Sequence, residues 1–334
     1  MASHKWDTVE IETKEGRVQG IAPVIISASR ATDIPAFYSE WLINRLNEGY
    51  VKWINPFNKK PQYVSFTKTR AFVFWTKDAN NLIPHLKEFD DREINYYFLF
   101  TVNDYEKEGF EPGLRGLDKR IDTFKELSGK IGKDKVIWRF DPLFLTDKVT
   151  TDKLIDKVYK VGNRIVDYTN KLVISFADVY SYRKVQSNLK RSNVSYIEFT
   201  PETMEAVAQG LYEINKSWGI EIATCAEEID LSKYNIQKNK CIDDELLIRL
   251  FPHDKELIDF LCCRDNAEDR SKKLKDKGQR EHCGCIVSKD IGQYDTCCHR
   301  CIYCYASNSP KSACDNYKKY LTSNKNDESI IIFN

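Results

Sequence analysis

The chain has 334 residues, of which 42% are hydrophobic, so it can bury a core of ordinary size as one barrel-scale domain or two smaller ones. Fifty-one Lys and Arg balance fifty Asp and Glu, and the net charge of +1 excludes a global attraction to nucleic acid or to an anionic membrane. The opening segment, MASHKWDTVEIETKEG, lacks a signal-peptide pattern, and no apolar stretch is long enough to cross a bilayer. We therefore expect a cytoplasmic protein with no membrane partner.

Six short runs of apolar, β-branched or aromatic residues alternate with segments whose apolar residues have helical spacing. The predicted strands are residues 24–29, 71–77, 96–102, 136–142, 172–178 and 220–227. The predicted helices are residues 34–49, 80–89, 117–131, 151–168 and 201–219. Because the strands are almost continuously apolar and the helices are amphipathic, the pattern indicates a parallel sheet covered by helices.

The number of βα units favours a barrel. Six units without a glycine-rich fingerprint after the first strand fit a partial barrel better than a doubly wound dinucleotide fold, which periodicity alone does not exclude. We expect an α/β protein in which residues 1–255 form a partial TIM barrel of about six βα units. Residues 256–334 are expected to form a cysteine-rich segment that carries a cluster-binding motif, and residues 52–70 an extra hairpin or loop.

Polar residues follow the predicted strands, at the edge where parallel βα folds bind their ligands. For any one of them a helix N-cap or a turn is an equally good interpretation, and Asp33 has the position of an N-cap before Ile34 and Pro35. Taken together, these residues indicate the polar mouth of a cavity. The candidates for its lining are Ser29, Arg30, Lys77, Asn103, Arg139, Asp141 and Asp178.

Eleven cysteines lie mostly toward the C-terminus, and in a cytoplasmic protein they indicate metal or cluster ligands more than disulfides. Within YDTCCHRCIYCYAS, the residues Cys297, Cys301 and Cys304 have the spacing C-x3-C-x2-C. Three thiolates on a tight loop suit a four-iron cluster that keeps one iron open for another ligand. Three alternatives remain: a C-x2-C-x2-C spacing that starts at Cys298, as in electron-transfer ferredoxins, a zinc knuckle that uses Cys298, Cys301 and His299, and inert thiols that bind no metal.

This motif, with Tyr303 directly before its last cysteine, resembles the signature of radical S-adenosylmethionine (SAM) enzymes. YDTCCHRCIYCYA is particularly similar to the corresponding stretch of the spore photoproduct lyase-like branch. The whole chain, from SASRATDIPAFYSEW to QREHCGCIVSKDIGQYDTC, resembles the family of domain of unknown function 1848. The second resemblance supplies no biochemical role.

The radical SAM resemblance implies a partial βα barrel and a 4Fe-4S cluster held by Cys297, Cys301 and Cys304. It implies that SAM binds the fourth iron and is cleaved reductively to a 5′-deoxyadenosyl radical, with an external electron donor such as a flavodoxin or ferredoxin. Tyr303 would lie against the adenine of SAM, and Ser29 and Arg30 are further candidates for cofactor contacts.

Two features depart from that superfamily. The cysteine motif usually follows the first barrel strand, whereas here it follows all six βα units, so either the loop folds back over the barrel mouth or the order of the elements is permuted. The chain also lacks the Gly-Gly-Glu stretch with which many members hold the amino group of SAM. The sequence therefore does not identify the residue that holds this group.

Four other cysteines form a second pattern, at the end of the sixth predicted strand, in NKCIDDE and in HCGC. They are Cys225, Cys241, Cys283 and Cys285. Four thiolates from three places in the chain would enclose a second iron–sulfur cluster or a structural zinc ion. The alternative is four unrelated thiols that pack as small apolar side chains.

The substrate is not identified by the sequence, and a small molecule, a peptide and a nucleic acid all remain open. Residues 180–192, YSYRKVQSNLKRS, are basic with interleaved tyrosines, which is typical of a phosphate-contacting loop and also of a solvated surface loop. An iron–sulfur electron carrier and a zinc-stabilised binding module are the alternatives to an enzyme. Colour separates them, because a loaded iron–sulfur protein is brown and a zinc protein is colourless.

Overall fold

The computed structural model describes residues 6–262, 273–323 and 325–332. Its strands are β1 Thr8–Thr13, β2 Gly16–Ile21, β3 Ile25–Ala28, β4 Tyr50–Ile54, β5 Pro61–Ser65, β6 Ala71–Thr76, β7 Asn95–Thr101, β8 Val136–Leu143, β9 Leu145–Thr146, β10 Lys171–Phe176, β11 Tyr196–Ile197, β12 Glu221–Cys225, β13 Ile236–Asn239 and β14 Lys289–Asp290. Its α-helices are α1 Ile34–Phe37, α2 Ser39–Glu48, α3 Lys87–Asp90, α4 Leu117–Ile131, α5 Thr151–Ile165, α6 Arg183–Arg191, α7 Pro201–Trp218, α8 Asp244–Leu250, α9 Lys255–Leu261 and α10 Pro310–Thr322. All six predicted strands are present, as β3, β6, β7, β8, β10 and β12.

The main sheet has eight strands in the order β13-β12-β10-β8-β7-β6-β3-β14, and every neighbouring pair is parallel. With one exception, neighbouring strands follow one another in chain order, without the reversal that marks a doubly wound fold. The exception is β14, the last strand in the chain, which lies beside β3 with Lys289 opposite Ile26. The predicted α/β class with a large parallel sheet is confirmed, and the curvature of a partial barrel stays a prediction.

A smaller sheet has the strand order β1-β2-β5-β4. In the chain, β1 and β2 precede β3, and β4 and β5 lie between α2 and β6. Its strands β4 and β5 pair antiparallel, with Tyr50 opposite Ser65 and Ile54 opposite Pro61. The extra hairpin expected within residues 52–70 is therefore present, and it begins two residues earlier than expected.

The basic segment at residues 180–192 is largely helical and not a loop, which corrects the sequence interpretation. Helix α6 forms here because Val185 and Leu189, four residues apart, are both buried on one face. The remaining positions of this short helix are polar or charged, so its sequence has the composition of a solvated loop.

Alternate residues of the strands pack on opposite faces of the main sheet. Phe72 and Phe74 of β6 belong to the larger hydrophobic core, together with the buried faces of α4 and α5. Ala71 and Val73 belong to a second core on the other face. That second core also contains Cys241, Ile242, Leu246, Leu247, Cys283, Cys285 and Ile286. Part of the cysteine-rich chain therefore packs directly on one face of the sheet.

Helix α10 packs against the start of the chain's first βα unit. The ring of Tyr317 lies 5.1 Å from that of Phe37, and the ring of Tyr320 lies 4.7 Å from that of Tyr38.

The division of the chain into two domains between residues 255 and 256 stays a prediction. No helix within the described residues is both long and apolar enough to span a membrane.

Candidate functional site

A cavity of about 500 Å³ lies at the carboxyl ends of the strands in the main sheet. Side chains from the ends of β6, β7, β8 and β10 line it, and the chain that follows β14 also contributes. The predicted site residues that line it are Ser29, Arg30, Lys77, Arg139, Asp141, Asp178, Tyr303 and all seven cysteines of the two predicted sets. Asn103 is fully buried beside the cavity and contacts two of its lining residues, Asp141 and Tyr303.

The cysteine motif is divided by its surroundings. Cys297, Cys301 and Cys304 line the cavity. Cys298 does not line it, and its thiol interacts with that of Cys314 on helix α10. Burial is the main cause, and this interaction the second, that raises the pKa of Cys298 to about 12. The geometry therefore favours the C-x3-C-x2-C spacing over the spacing that starts at Cys298.

Backbone contacts hold the motif loop in place. The amide of Cys304 donates to the carbonyl of Cys301 at 3.1 Å, and Asn188 Nδ2 of helix α6 donates to the carbonyl of Cys304 at 3.1 Å. The amide of Gly113 donates to the carbonyl of His299 at 2.9 Å. A Cβ at position 113 would lie 2.3 Å from the carbonyl oxygen of Cys298, so only glycine permits this close approach.

Asp33 connects the motif to β3 and β6 of the main sheet. It caps helix α1 by accepting from the amide of Ala36 at 3.0 Å, as its position in the sequence predicts. The same carboxylate accepts from Thr76 Oγ1 at 2.8 Å and from the amide of Lys77 at 2.7 Å, and His299 Nε2 lies 2.7 Å from it. An ionised carboxylate has no hydrogen to donate, so the ring nitrogen of His299 is the donor in the fourth hydrogen bond. The N-cap is therefore also an anchor for the cysteine loop.

Glu111 forms the centre of a buried polar network that the sequence did not predict. Its Oε1 accepts from Lys77 Nζ at 2.8 Å, from Asn103 Nδ2 at 3.1 Å and from the phenol of Tyr303. Burial alone would raise the pKa of Glu111, but the charges of Lys77 and Arg120 outweigh it and hold this pKa below its ordinary value. The side chain of Tyr303 is thereby fixed to β6 and to the chain after β7.

Arg139 and Asp141, both on β8, form a second network on the cavity wall. Arg139 Nε donates to Asp141 Oδ2 at 3.1 Å, and Ser175 donates to the other carboxylate oxygen. Asn103 Oδ1 accepts from the amide of Asp141 at 2.9 Å. Burial acts to raise the pKa of Asp141, but Arg139 and Ser175 outweigh it and lower this pKa, so the carboxylate is charged.

The second cysteine set is gathered on the cavity wall next to Arg139. The sulfurs of Cys225 and Cys241 lie 3.4 Å apart, and Cys285 Sγ accepts from the amide of Cys241 at 3.2 Å. The thiols of Cys283 and Cys285 also interact. Arg139 Nη1 donates to Cys241 Sγ at 2.8 Å. Hydrogen bonds from the neighbouring thiols, together with Arg139, hold the pKa of Cys241 well below its ordinary value.

The thiols of the second set contact one another in a chain, from Cys225 to Cys241, from Cys241 to Cys285 and from Cys285 to Cys283. Within residues 6–262, 273–323 and 325–332, no three or more His, Cys, Asp or Glu side chains form a group arranged to hold a metal ion. The structure therefore brings the predicted ligands of each set to one cavity without arranging them around a common point.

Ser29 and Arg30 follow β3, and the amide of Arg30 donates to the carboxylate of Asp290 on β14 at 2.8 Å. Arg30 stacks on Trp75, with its guanidinium carbon 5.0 Å from the ring centroid, and its Nη2 is buried without a hydrogen-bond partner among the described residues. Burial acts to lower the pKa of Arg30, but the nearby Cys285, Asp290 and Cys241 outweigh it and raise this pKa. Ser29 Oγ accepts from the amide of Ala31 at 2.9 Å.

A family model described as domain of unknown function (DUF1848) matches residues 25–306. The chain belongs to the DUF1848 family. No curated protein matches the chain. Among solved structures, the crystal structure of a candidate alpha-L-fucosidase from Bacteroides thetaiotaomicron aligns with 11% identity and a TM-score of 0.24, covering 76% of this chain and 84% of that one. A similarity at this level carries no conclusion about fold or activity.

In this DUF1848 protein, nearly all of the candidate residues predicted from the sequence line the cavity, but the sequence did not identify the residues that position them. Glu111, Arg120 and His299 hold Tyr303, Asn103 and Asp33 in place. Glu111 lies in the irregular chain between β7 and α4, where neither periodicity nor a motif marks it. His299 lies between Cys297 and Cys301 in the cysteine motif, and this position is the signal in the sequence that could have identified it.

Proposed function

We propose that this DUF1848 protein is a radical SAM-type enzyme whose 4Fe-4S cluster is held by Cys297, Cys301 and Cys304. One observation carries the proposal: these three thiols, at the spacing that resembles the superfamily motif, line a single cavity at the carboxyl edge of a parallel sheet, and Cys298 does not. Three protein ligands leave one iron of a four-iron cluster open.

The donor set and its surroundings fit such a cluster. Burial raises the pKa of Cys301, and the ammonium of Lys77 opposes this effect by favouring the thiolate. Burial acts to lower the pKa of Lys77, but Glu111 and other nearby negative groups outweigh burial and raise this pKa. Lys77 is therefore charged. A buried cation beside the motif would offset the negative charge that three thiolates bring to the site.

The position of the motif along the sheet also supports the proposal. Strand β14 lies beside β3, and the chain leaves β14 at the same sheet edge where the cavity opens. In space, therefore, the cysteine loop follows the strand that precedes β3 in the sheet order. Of the two explanations for the late motif, a permuted order of elements agrees with this arrangement.

When bound, the cluster and SAM would supply a carbon radical by reductive cleavage of SAM. The residues of the chain would bind, orient and shield. Lys77, Arg139, Asp141 and Asp178 would line the space for substrate, and Tyr303, whose ring lies 6.0 Å from that of Phe144, would help to exclude water. Ser29 and Arg30 are the candidates for cofactor contacts, and an external electron donor such as a flavodoxin or ferredoxin is implied.

We also propose a second metal site at Cys225, Cys241, Cys283 and Cys285. The fit rests on two guanidinium groups, because Arg139 donates to Cys241 Sγ, and Arg30, whose buried Nη2 is unpartnered among the described residues, interacts electrostatically with Cys241, Cys283 and Cys285. Cations of this kind stabilise metal-bound thiolates. The 3.4 Å between the sulfurs of Cys225 and Cys241 is close to the roughly 3.8 Å expected for two thiolates on one tetrahedral zinc ion, so this pair favours a single ion.

The test is the fate of SAM under anaerobic reduction. The reconstituted wild type is expected to be brown and to release 5′-deoxyadenosine and methionine slowly with a chemical reductant and no substrate. The Cys301→Ala variant is expected to lose the full cluster and to release neither product, and chromatography of the small molecules measures both. A fully loaded, well-reduced wild type that yields no 5′-deoxyadenosine, or a variant with equal yield, would favour an electron carrier or a zinc-stabilised module instead.

A further inference from the structure

Helix α6 and the tyrosines beside it form a surface that the proposed chemistry does not use, here named the tyrosine-basic rim, and two of its residues, Tyr182 and Tyr305, also line the cavity. Its residues are Tyr180, Tyr182, Arg183, Lys184, Lys190, Arg191, Tyr294 and Tyr305. We propose that the rim binds single-stranded nucleic acid and delivers one nucleotide of it to the cavity. This proposal rests on the proposed function for the identity of the cavity as an active site.

The tyrosines of the rim are placed as a stacking surface. Tyr182 and Tyr305 both line the cavity, and their ring centroids lie 5.8 Å apart at an interplanar angle of 37°. Tyr305 is 43% exposed and Tyr180 is 75% exposed, which is uncommon for such large rings. Exposed aromatic rings beside a cation-lined surface bind the bases of single strands by stacking.

The charges of the rim have one sign on its helix. Helix α6 carries Arg183, Lys184, Lys190 and Arg191 and no acidic residue. Lys184 Nζ lies 5.4 Å from the ring centroid of Tyr294, so the cations are interleaved with the aromatic rings. Asp178 is an acidic residue at the same mouth, and its carboxylate accepts from the amide of Ser181 at 3.1 Å.

The rim is attached to the cysteine motif itself. Asn188 of helix α6 donates to the carbonyl of Cys304, and Arg191 Nη2 donates to the carbonyl of Asn308 at 3.3 Å. A ligand held on α6 would therefore lie beside the loop that carries the proposed cluster. An electron donor only has to approach this loop, whereas Tyr182 and Tyr305 of the rim line the cavity that a substrate would occupy, which favours substrate binding as the role of the rim.

The class of substrate follows from the combination of features. Cations neutralise phosphates, and flat rings stack on bases. The net charge of +1 for the whole chain argues against a long duplex footprint, because a duplex would require many more phosphate contacts. A short single strand with one base turned into the cavity satisfies both observations.

Fluorescence anisotropy of the anaerobic, metal-loaded protein with a short labelled oligothymidylate tests the proposal. We expect binding that weakens as the salt concentration rises. An abasic oligonucleotide of equal length is expected to be an about tenfold weaker competitor, since stacking of one base contributes roughly 1–3 kcal/mol. The double variant Tyr182→Ala/Tyr305→Ala is expected to lose this preference and to keep its affinity for the abasic strand. The Arg183→Glu/Lys190→Glu variant is expected to bind both strands at least about tenfold more weakly.

The matched control is Lys119→Glu/Lys153→Glu, which reverses two exposed charges on α4 and α5 that do not line the cavity. It is expected to bind as the wild type does. Three results would overturn the proposal: wild-type protein that binds the abasic strand as tightly as oligothymidylate, wild-type protein that binds polyglutamate as tightly as oligothymidylate, or a tyrosine variant that binds oligothymidylate as tightly as the wild type. Binding of polyglutamate would assign the rim to an acidic protein partner.

Formation of 5′-deoxyadenosine by Arg183→Glu/Lys190→Glu with a chemical reductant reports on the proposed function separately, because these two side chains take no part in it.

Discussion

Cys297 and Cys298 are neighbours in the chain whose side chains have different surroundings. Cys297 lines the cavity with Cys301 and Cys304, whereas Cys298 interacts with Cys314 of helix α10. Spacing alone left both cysteines open as the first ligand, because C-x3-C-x2-C and C-x2-C-x2-C share their last two members. The direction of a side chain in an irregular loop depends on the contacts of that loop, and one sequence does not contain this information.

The two cysteines therefore provide a matched pair of variants. Cys297→Ala is expected to lose most of the cluster iron after reconstitution, since one of three ligands is removed. Cys298→Ala, a change of the same size one residue away, is expected to keep its cluster iron and to change the free energy of unfolding by less than about 1 kcal/mol. Iron analysis and the visible spectrum check this prediction, and iron loss in Cys298→Ala alone would reverse the assignment.

Helix α9 is fixed to the amino end of the parallel sheet by one carboxylate. Asp254 caps the helix by accepting from the amide of Leu257 at 3.0 Å. It also pairs with Arg70, whose Nη2 lies 2.8 Å from Asp254 Oδ2, and accepts from Asn95 Nδ2 at 2.5 Å. Arg70 precedes β6, and Asn95 begins β7. The cysteine-rich part of the chain is thus connected to the sheet edge opposite the cavity.

Replacement of Asp254 is expected to destabilise the fold in a pH-dependent way. Asp254→Ala should lower the free energy of unfolding by about 2–3 kcal/mol at neutral pH, and Asp254→Asn by less, because Asn also caps helices. Burial acts to raise the pKa of Asp254, but Arg70 and the Leu257 amide outweigh it and lower this pKa. The stabilisation is therefore present above the ordinary Asp pKa of 3.8 and is lost as the pH falls through the lower folded value.

Urea unfolding of the wild type and both variants at pH 7 and at about pH 3 measures this effect. The difference between wild type and Asp254→Ala should shrink at the lower pH. A difference that stays constant across this range would mean that the ion pair contributes little and that the cap alone stabilises the helix.

At the scale of elements, the sequence predicts what repeats and misses what is short or strongly charged. Long apolar strands such as β7 and amphipathic helices such as α4 have periodic patterns, and α4 has the predicted bounds, residues 117–131. Strand β14 has two residues, too few for any period, and its pairing with β3 depends on tertiary contacts. Helix α6 carries only two buried apolar residues, so its charges dominate the pattern.

In the molecule as a whole, the two cysteine sets approach one cavity from different parts of the chain. Cys225 ends β12, Cys241 follows β13, and Cys283 and Cys285 precede β14. The sequence groups these residues into two sets, the first by a local spacing and the second from three separate segments, and metal binding by either set stays a prediction. It did not predict that β13 and β14 extend the sheet at its two ends, since long-range pairing has no periodic signal.

Removal of the second metal is expected to loosen this assembly. Cys241→Ala should eliminate the metal of the second set, spare the iron of the first, and lower the free energy of unfolding by at least about 2 kcal/mol, because metal binding energy contributes to folding. Cys314→Ala, which removes a partly buried thiol outside both sets, is the matched control and should keep both metals. Metal analysis and thermal unfolding check the result, and unchanged metal content in Cys241→Ala would contradict the second site.

The pairing of β14 with β3 also has a consequence for synthesis on the ribosome. About 260 residues separate the two strands, so during most of translation β3 forms one open edge of the growing parallel sheet. An open strand edge is a template for pairing with another chain, and nascent domains fold from their N-terminal part first. When β14 emerges it pairs with Ile26 and Ser27 at the middle of this edge, and the cysteine loop follows it in the chain. Protection of the nascent chain from aggregation and completion of the candidate active site therefore occur at the same late step of synthesis.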